Sequence, residues 1–129
     1  MPRVLQRTVR VHTLIIGVGI ASCAPAGAPS DPVTISPQYY TVLLDSNHVR
    51  VLEYRLPAGQ REAMHAHPDH VVYFFQQAKL RATYPDGHSS ETVLTPRETL
   101  YRKTLSHAIE NIGDTEVHAL LVELEPGSR

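Results

Sequence analysis

The chain of 129 residues has one cysteine, Cys23. A lone cysteine cannot close an intramolecular disulfide. Beyond position 23 no thiolate is left for catalysis or metal binding. An excess of either charge is also lacking: 12 Lys and Arg stand against 13 Asp and Glu. With no basic run, there is no electrostatic footprint for nucleic acid. There is no Gly-rich phosphate loop and no Ser-His-Asp pattern. The apolar run Leu14–Ala21 is far short of the roughly 20 residues a membrane span needs. No segment past the N-terminus keeps a helical period over the ~11 residues that would argue for a helix. Internal repeats are absent.

What is present begins with an N-terminal address. Arg3, Arg7 and Arg10 precede the uncharged run Leu14-Ile15-Ile16-Gly17-Val18-Gly19-Ile20-Ala21, and small residues follow. This is the three-part layout of a secretory signal peptide. Ile20-Ala21-Ser22-Cys23 resembles the bacterial lipobox, whose cysteine is lipidated and becomes the first mature residue. That predicts export, with Cys23 anchoring the protein at the cell envelope and a lipid as its only membrane contact. An ordinary cut after Ala24-Pro25-Ala26, giving a soluble periplasmic protein, is the alternative. Three of the 12 basic residues and none of the acids lie in residues 1–23, so the mature chain carries 9 basic against 13 acidic residues, a formal charge of −4. Residues 24–36 are rich in Pro, Ala, Gly and Ser and read as a tether that cannot bury a core. Residues 37–129 are the one domain.

That domain reads as consecutive short strands. Tyr39–Leu44, Val49–Leu56, Val71–Phe75, Lys79–Tyr84, Glu91–Leu94, Leu100–Lys103, Ser106–Glu110 and Glu116–Glu123 are bursts of β-branched, aromatic and alternating residues. Asp45-Ser46-Asn47, Pro57-Ala58-Gly59, Pro85-Asp86-Gly87 and Asn111-Ile112-Gly113-Asp114 punctuate them. In Pro85-Asp86-Gly87, Pro presets φ and Gly accepts a positive one. Turns recurring about every ten residues argue for an antiparallel sandwich or barrel.

The segment Arg61–His67 also reads as strand, and it contains His65-Ala66-His67. Histidines at i and i+2 on a strand share a face. Two imidazoles side by side suit Zn, Cu, Fe or Ni. Two exposed polar residues on one strand are the plain alternative.

Residues 48–124 resemble a small single-domain cupin. That family's first motif is a glycine, five residues, His-x-His, three or four residues, Glu, six residues and Gly. Here Gly59, His65 and His67 fit, Val71 stands in the place of the Glu and Ala78 in that of the closing Gly. The second motif, Pro-x-Gly, two residues, His, three residues, Asn, is met by Arg102, Thr104, His107 and Asn111, keeping the His and the Asn. The resemblance implies an all-β, double-stranded jelly-roll barrel. It also implies that His65, His67 and His107 converge on one divalent transition metal, with Fe, Zn, Ni, Cu and Mn not distinguished. Without the Glu, three neutral imidazoles leave the ion's charge uncompensated, which favours a small anionic ligand and leaves open positions, as in cupin thiol dioxygenases or catalytic zinc sites. A metal-dependent oxygenase or isomerase is then expected; a non-catalytic sensing module and a metal-free structural cupin are the alternatives.

His70 is the candidate catalytic residue, as a fourth ligand or a base, because Pro68-Asp69 breaks the strand parity. Asp69 is a candidate to orient a ligand histidine through a hydrogen bond. His48, His88 and His118 read as surface histidines, and Tyr54, Tyr73, Tyr84 and Tyr101 as core. Asn111 is placed to cap the turn at Ile112-Gly113. Small cupins pair through their sheets, and an open edge strand invites this, so a homodimer is expected.

Overall fold

In the computed structural model, residues 30–124 are described. The signal segment, Cys23 and residues 24–29 of the tether lie outside them. Nine strands follow a short helix: α1 (Pro32–Ile35), β1 (Tyr40–Asp45), β2 (Val49–Leu56), β3 (His65–His67), β4 (His70–Phe74), β5 (Ala78–Thr83), β6 (Ser89–Leu94), β7 (Thr99–Arg102), β8 (Leu105–Asn111) and β9 (Val117–Leu124). They form two sheets, ordered β1-β2-β9-β4-β7 and β3-β8-β5-β6. Every pairing is antiparallel. This is the jelly-roll arrangement that the cupin resemblance implies, closed around one core.

Alternation builds that core. In β9 the residues Val117, Ala119, Leu121 and Glu123 are buried, with the residues between them facing outward. Leu52, Tyr54 and Leu56 of β2 and Val72 and Phe74 of β4 meet them. Leu52 and Leu56 are fully buried; truncating either to Ala should cost about 2–5 kcal/mol.

The turns follow their chemistry. Gly59 and Gly87 have φ of +73° and +87°. Gly87 donates its N–H to the Tyr84 carbonyl, and the Asp86 carboxylate accepts the His88 N–H. Asn111, wholly buried, donates to the carbonyls of Leu56 and Thr115 and accepts from the Gly113 N–H. It therefore closes the β8–β9 turn as expected.

Two expectations need correction. The strand predicted over Arg61–His67 is confined to His65–His67; Arg61 makes an isolated bridge to Glu110, and Glu62 lies between the two without strand pairing. The last residues of the tether, 30–36, are not loose. Asp31 caps α1 by accepting the Thr34 N–H, Ser36 is buried, and the Ser30 carbonyl accepts the Ala66 N–H. Pro32 is fully buried and Val33 packs against the core, so the segment is held by these two side chains as well as by its backbone and ionic contacts.

Candidate metal centre

His65 and His107 are direct cross-strand partners in the β3–β8 ladder, and His67 follows His65 on the same inward face. The strand period places the three imidazoles together. Their ring centroids lie 4.8 Å (His65–His67), 4.8 Å (His65–His107) and 5.5 Å (His67–His107) apart. One ring nitrogen from each lies within 4.8 Å of the other two, and the cluster could hold a metal ion. Tetrahedral ligands ~2.1 Å from one ion stand roughly 3.4 Å apart, so a pair at the 4.8 Å limit draws in by about an ångström to close on it.

The tautomers are fixed by fixed partners. His65 Nδ1 sits 2.8 Å from the Ala63 carbonyl, an acceptor only, so Nδ1–H donates. His67 Nδ1 is 2.7 Å from the Glu123 carboxylate and donates to it. Each neutral ring then has its Nε2 as a lone-pair acceptor. Yet the two Nε2 atoms face each other at 3.0 Å. A cation bound by both Nε2 atoms satisfies both, and so does one proton shared between them. Burial opposes placing that proton on His65. The His65 pKa is lowered to about 4, chiefly by burial, against the pull of the Ala63 carbonyl. That of His107 is lowered to about 2 by burial and then by His65 and His67.

Glu123 organises one side. Fully buried, it accepts from His67 and from Arg50 at 2.7 Å, and Arg50 in turn reaches Asp31. Burial pushes the Glu123 carboxyl upward, but the hydrogen bonds from His67 and Arg50 outweigh it and hold it below the ordinary value. Carboxylate–histidine pairs of this kind set the tautomer and basicity of metal-binding imidazoles. The sequence reading gave this part to Asp69. Asp69 instead accepts hydrogen bonds from Tyr101 and Thr104, tying the β3–β4 turn to the end of β7.

His70 is 3 % exposed and turned inward. It stands opposite Glu123 in the β4–β9 ladder, its ring is 4.9 Å from that of His67, and its Nδ1 donates to the Pro68 carbonyl at 2.8 Å. Its Nε2 is thus also left with a lone pair. Burial, foremost, keeps its pKa below the usual value. Val71, the residue in the place of the family's Glu, faces away from the site, since β4 buries His70, Val72 and Phe74. The motif spacing counted residues correctly, but the turn at Pro68-Asp69 put the inward position one residue earlier.

A cavity of about 130 Å³ adjoins the cluster. His67, His70 and His107 form part of its wall, with Tyr40, Tyr54 and Glu62 on another side. His65 is set back from it. Glu62, unnoticed in the sequence, is 2 % exposed, accepts hydrogen bonds from the hydroxyls of Tyr40 and Tyr54, and lies 3.5 Å from His65 Nε2. Burial raises its pKa to about 8 despite those two donors.

The remaining predicted residues lie elsewhere. His48 and His88 are exposed, and His118 packs on Phe75 and bonds Glu53 on the outer face. Tyr54 is buried and Tyr84 lines the cavity, whereas Tyr101, read as core, is 56 % exposed. It lies on the outer face of an edge strand, where its hydroxyl meets Asp69.

No family model and no curated protein sequence matches the chain. Solved structures do. A cupin-superfamily protein of Desulfitobacterium hafniense shares 17 % identity over 67 % of this chain and 75 % of its own, with a TM-score of 0.52. A conserved double-stranded β-helix protein of Klebsiella pneumoniae shares 21 % over 69 % of this chain and 76 % of its own, with a TM-score of 0.54. These two speak for the fold. A cupin domain of Bordetella pertussis shares 31 % identity over 67 % of this chain and 91 % of its own, with a TM-score of 0.62. On that identity, carried by a barrel of the same architecture, the chain belongs to the cupin family.

Proposed function

We propose that the protein is a metal-binding cupin that acts on a small anionic molecule, with His65, His67 and His107 holding one divalent transition ion through Nε2. The observation that carries this is the convergence of the three imidazoles, with His65 and His67 turning Nδ1 to the Ala63 carbonyl and the Glu123 carboxylate and bringing their Nε2 atoms within 3.0 Å of each other. When bound, a divalent ion supplies Lewis acidity and, if redox-active, the electrons for oxygenase-type chemistry. The chain supplies the rest. His67 and His107 present their edges to the cavity, and His70, with a free Nε2 on the same wall, is placed to take or return a proton of the ligand. A purely ligand-binding module needs no such base, and His70 favours the catalytic reading.

Elemental analysis of the purified protein tests the site. The expected result is one divalent transition ion per chain. It should be lost in His65→Ala, His67→Ala and His107→Ala and kept in His88→Ala and His118→Ala. Metal content indifferent to the first three changes would reject the proposal.

We also propose that the protein sits at the cell envelope, anchored through Cys23, and pairs as a homodimer. The lipobox resemblance supports the anchor. It predicts that Cys23→Ser turns a membrane-partitioning protein into a soluble periplasmic one.

A further inference from the structure

We infer that Arg102 makes the cavity a binding site for a small carboxylate with an apolar body, its guanidinium holding the carboxylate at the rim. This deepens the reading above, and rests on it only for what the metal end of the cavity does.

Arg102 ends β7, the edge strand beside β4, and is the direct cross-strand partner of His70. Directly opposed residues share a face, their Cβ atoms about 4.5–5.5 Å apart. The inward turn of His70 therefore carries Arg102 to the same side, and Arg102 forms part of the cavity wall.

The cation lacks a counter-charge. Arg50, Arg55 and Arg81 each pair with carboxylates, whereas Arg102 has none within ion-pair distance among the described residues. Both carboxyls near the site are engaged, Glu123 by His67 and Arg50, and Glu62 by the two tyrosines. Arg102 is exposed at the rim of the cavity, and an arginine fork there matches a carboxylate with two parallel hydrogen bonds.

The body of the ligand follows from the remaining wall. Leu80, Leu100, Leu105 and Ile109 give an apolar lining. The volume of about 130 Å³ is close to the ~150 Å³ cavity that accepts benzene in another protein. A branched short-chain acid or a single-ring acid has the required size. The motif position held by Arg102 is a proline in the family pattern, so the cation belongs to this chain's own chemistry.

The test is calorimetric titration of the full-length protein, metal-stripped and Zn-loaded, with two probe pairs: 3-methylbutanoate against 3-methylbutanamide, and benzoate against benzamide. The wild type should bind at least one acid roughly tenfold or more tighter than its amide. Arg102→Gln should abolish that preference, Arg102→Lys should keep part of it, and Arg61→Gln, an exposed cation outside the cavity wall, should keep all of it. Arg102→Gln should leave metal content unchanged. A preference that is absent in the wild type, or survives Arg102→Gln, overturns the inference even if the metal site stands. A preference that needs Arg102 in a protein that binds no metal upholds it and removes the metal reading instead.

Discussion

His70 and Glu123 face each other across the β4–β9 ladder, both turned into the barrel. An imidazole thus stands beside a carboxylate that is already bound to His67 and Arg50. Inward and outward positions on β4 follow from this pair.

His70→Glu should deliver a carboxylate to the metal cluster, whereas Val71→Glu should deliver one to the outer face. The first is expected to tighten divalent-ion binding about tenfold, or ~1.4 kcal/mol. The second should leave affinity within twofold of wild type. Competition against a chromogenic chelator measures both. Equal effects from the two changes would show that the turn at Pro68-Asp69 does not set the parity seen here.

Glu123→Gln keeps the shape and removes the charge that His67 and Arg50 share. Breaking a buried pair costs about 3–5 kcal/mol, and losing the carboxylate behind a metal-binding histidine costs roughly 10–100-fold in metal affinity. Both a lower melting temperature and weaker metal binding are therefore expected. A variant with normal affinity would mean that the tautomer of His67 is fixed by something else.

Metal binding requires neutral imidazoles, so protons compete with it. An unperturbed histidine would begin to lose the competition as pH falls through about 6.5. Burial lowers the pKa of His65 to about 4, and that of His107 further, so their neutral forms persist to lower pH. Protons on His65 and His107 should therefore compete with loading only as the pH falls toward 4. Without metal, the unfolded chain takes up protons on His65 from about pH 6.5 downward while the folded chain does not. Stability of the metal-free protein should therefore decline over that interval. Circular dichroism melts from pH 7 to pH 4 would show it; a flat profile would contradict it.

The proposed homodimer has a specific place to form. β1 is the edge of the larger sheet and exposes Val42, Leu43 and Leu44, with a shift in register between Val42 and Leu44. Leu43→Lys should turn the dimer into a monomer in light scattering at micromolar concentration while leaving metal content intact. A wild-type monomer would dispose of the dimer altogether.

Strand order in the sequence was readable because β-branched bursts and turn residues are local signals. The pair His65 and His67 was readable for the same reason: two residues apart on one strand. Glu123 was not, since Leu120 and Val122 on the outer face of β9 blur the alternation. Its odd parity with Val117, Ala119 and Leu121 was the signal available. Arg50 needs the β2–β9 register, which sets it opposite Glu123. Glu62 sits outside any strand, and its partners Tyr40 and Tyr54 come from β1 and β2, so no periodicity points to it.

Excising the barrel at residue 37, where composition alone would start it, would cut more than a leader. It would remove the Ser30 carbonyl that holds the Ala66 N–H between the two histidines, and the Asp31 acid on Arg50. A fragment beginning there keeps every strand but loses the clasp on the metal-facing pair. The smallest excised unit that seats His65 and His67 as they stand here must begin at or before Ser30.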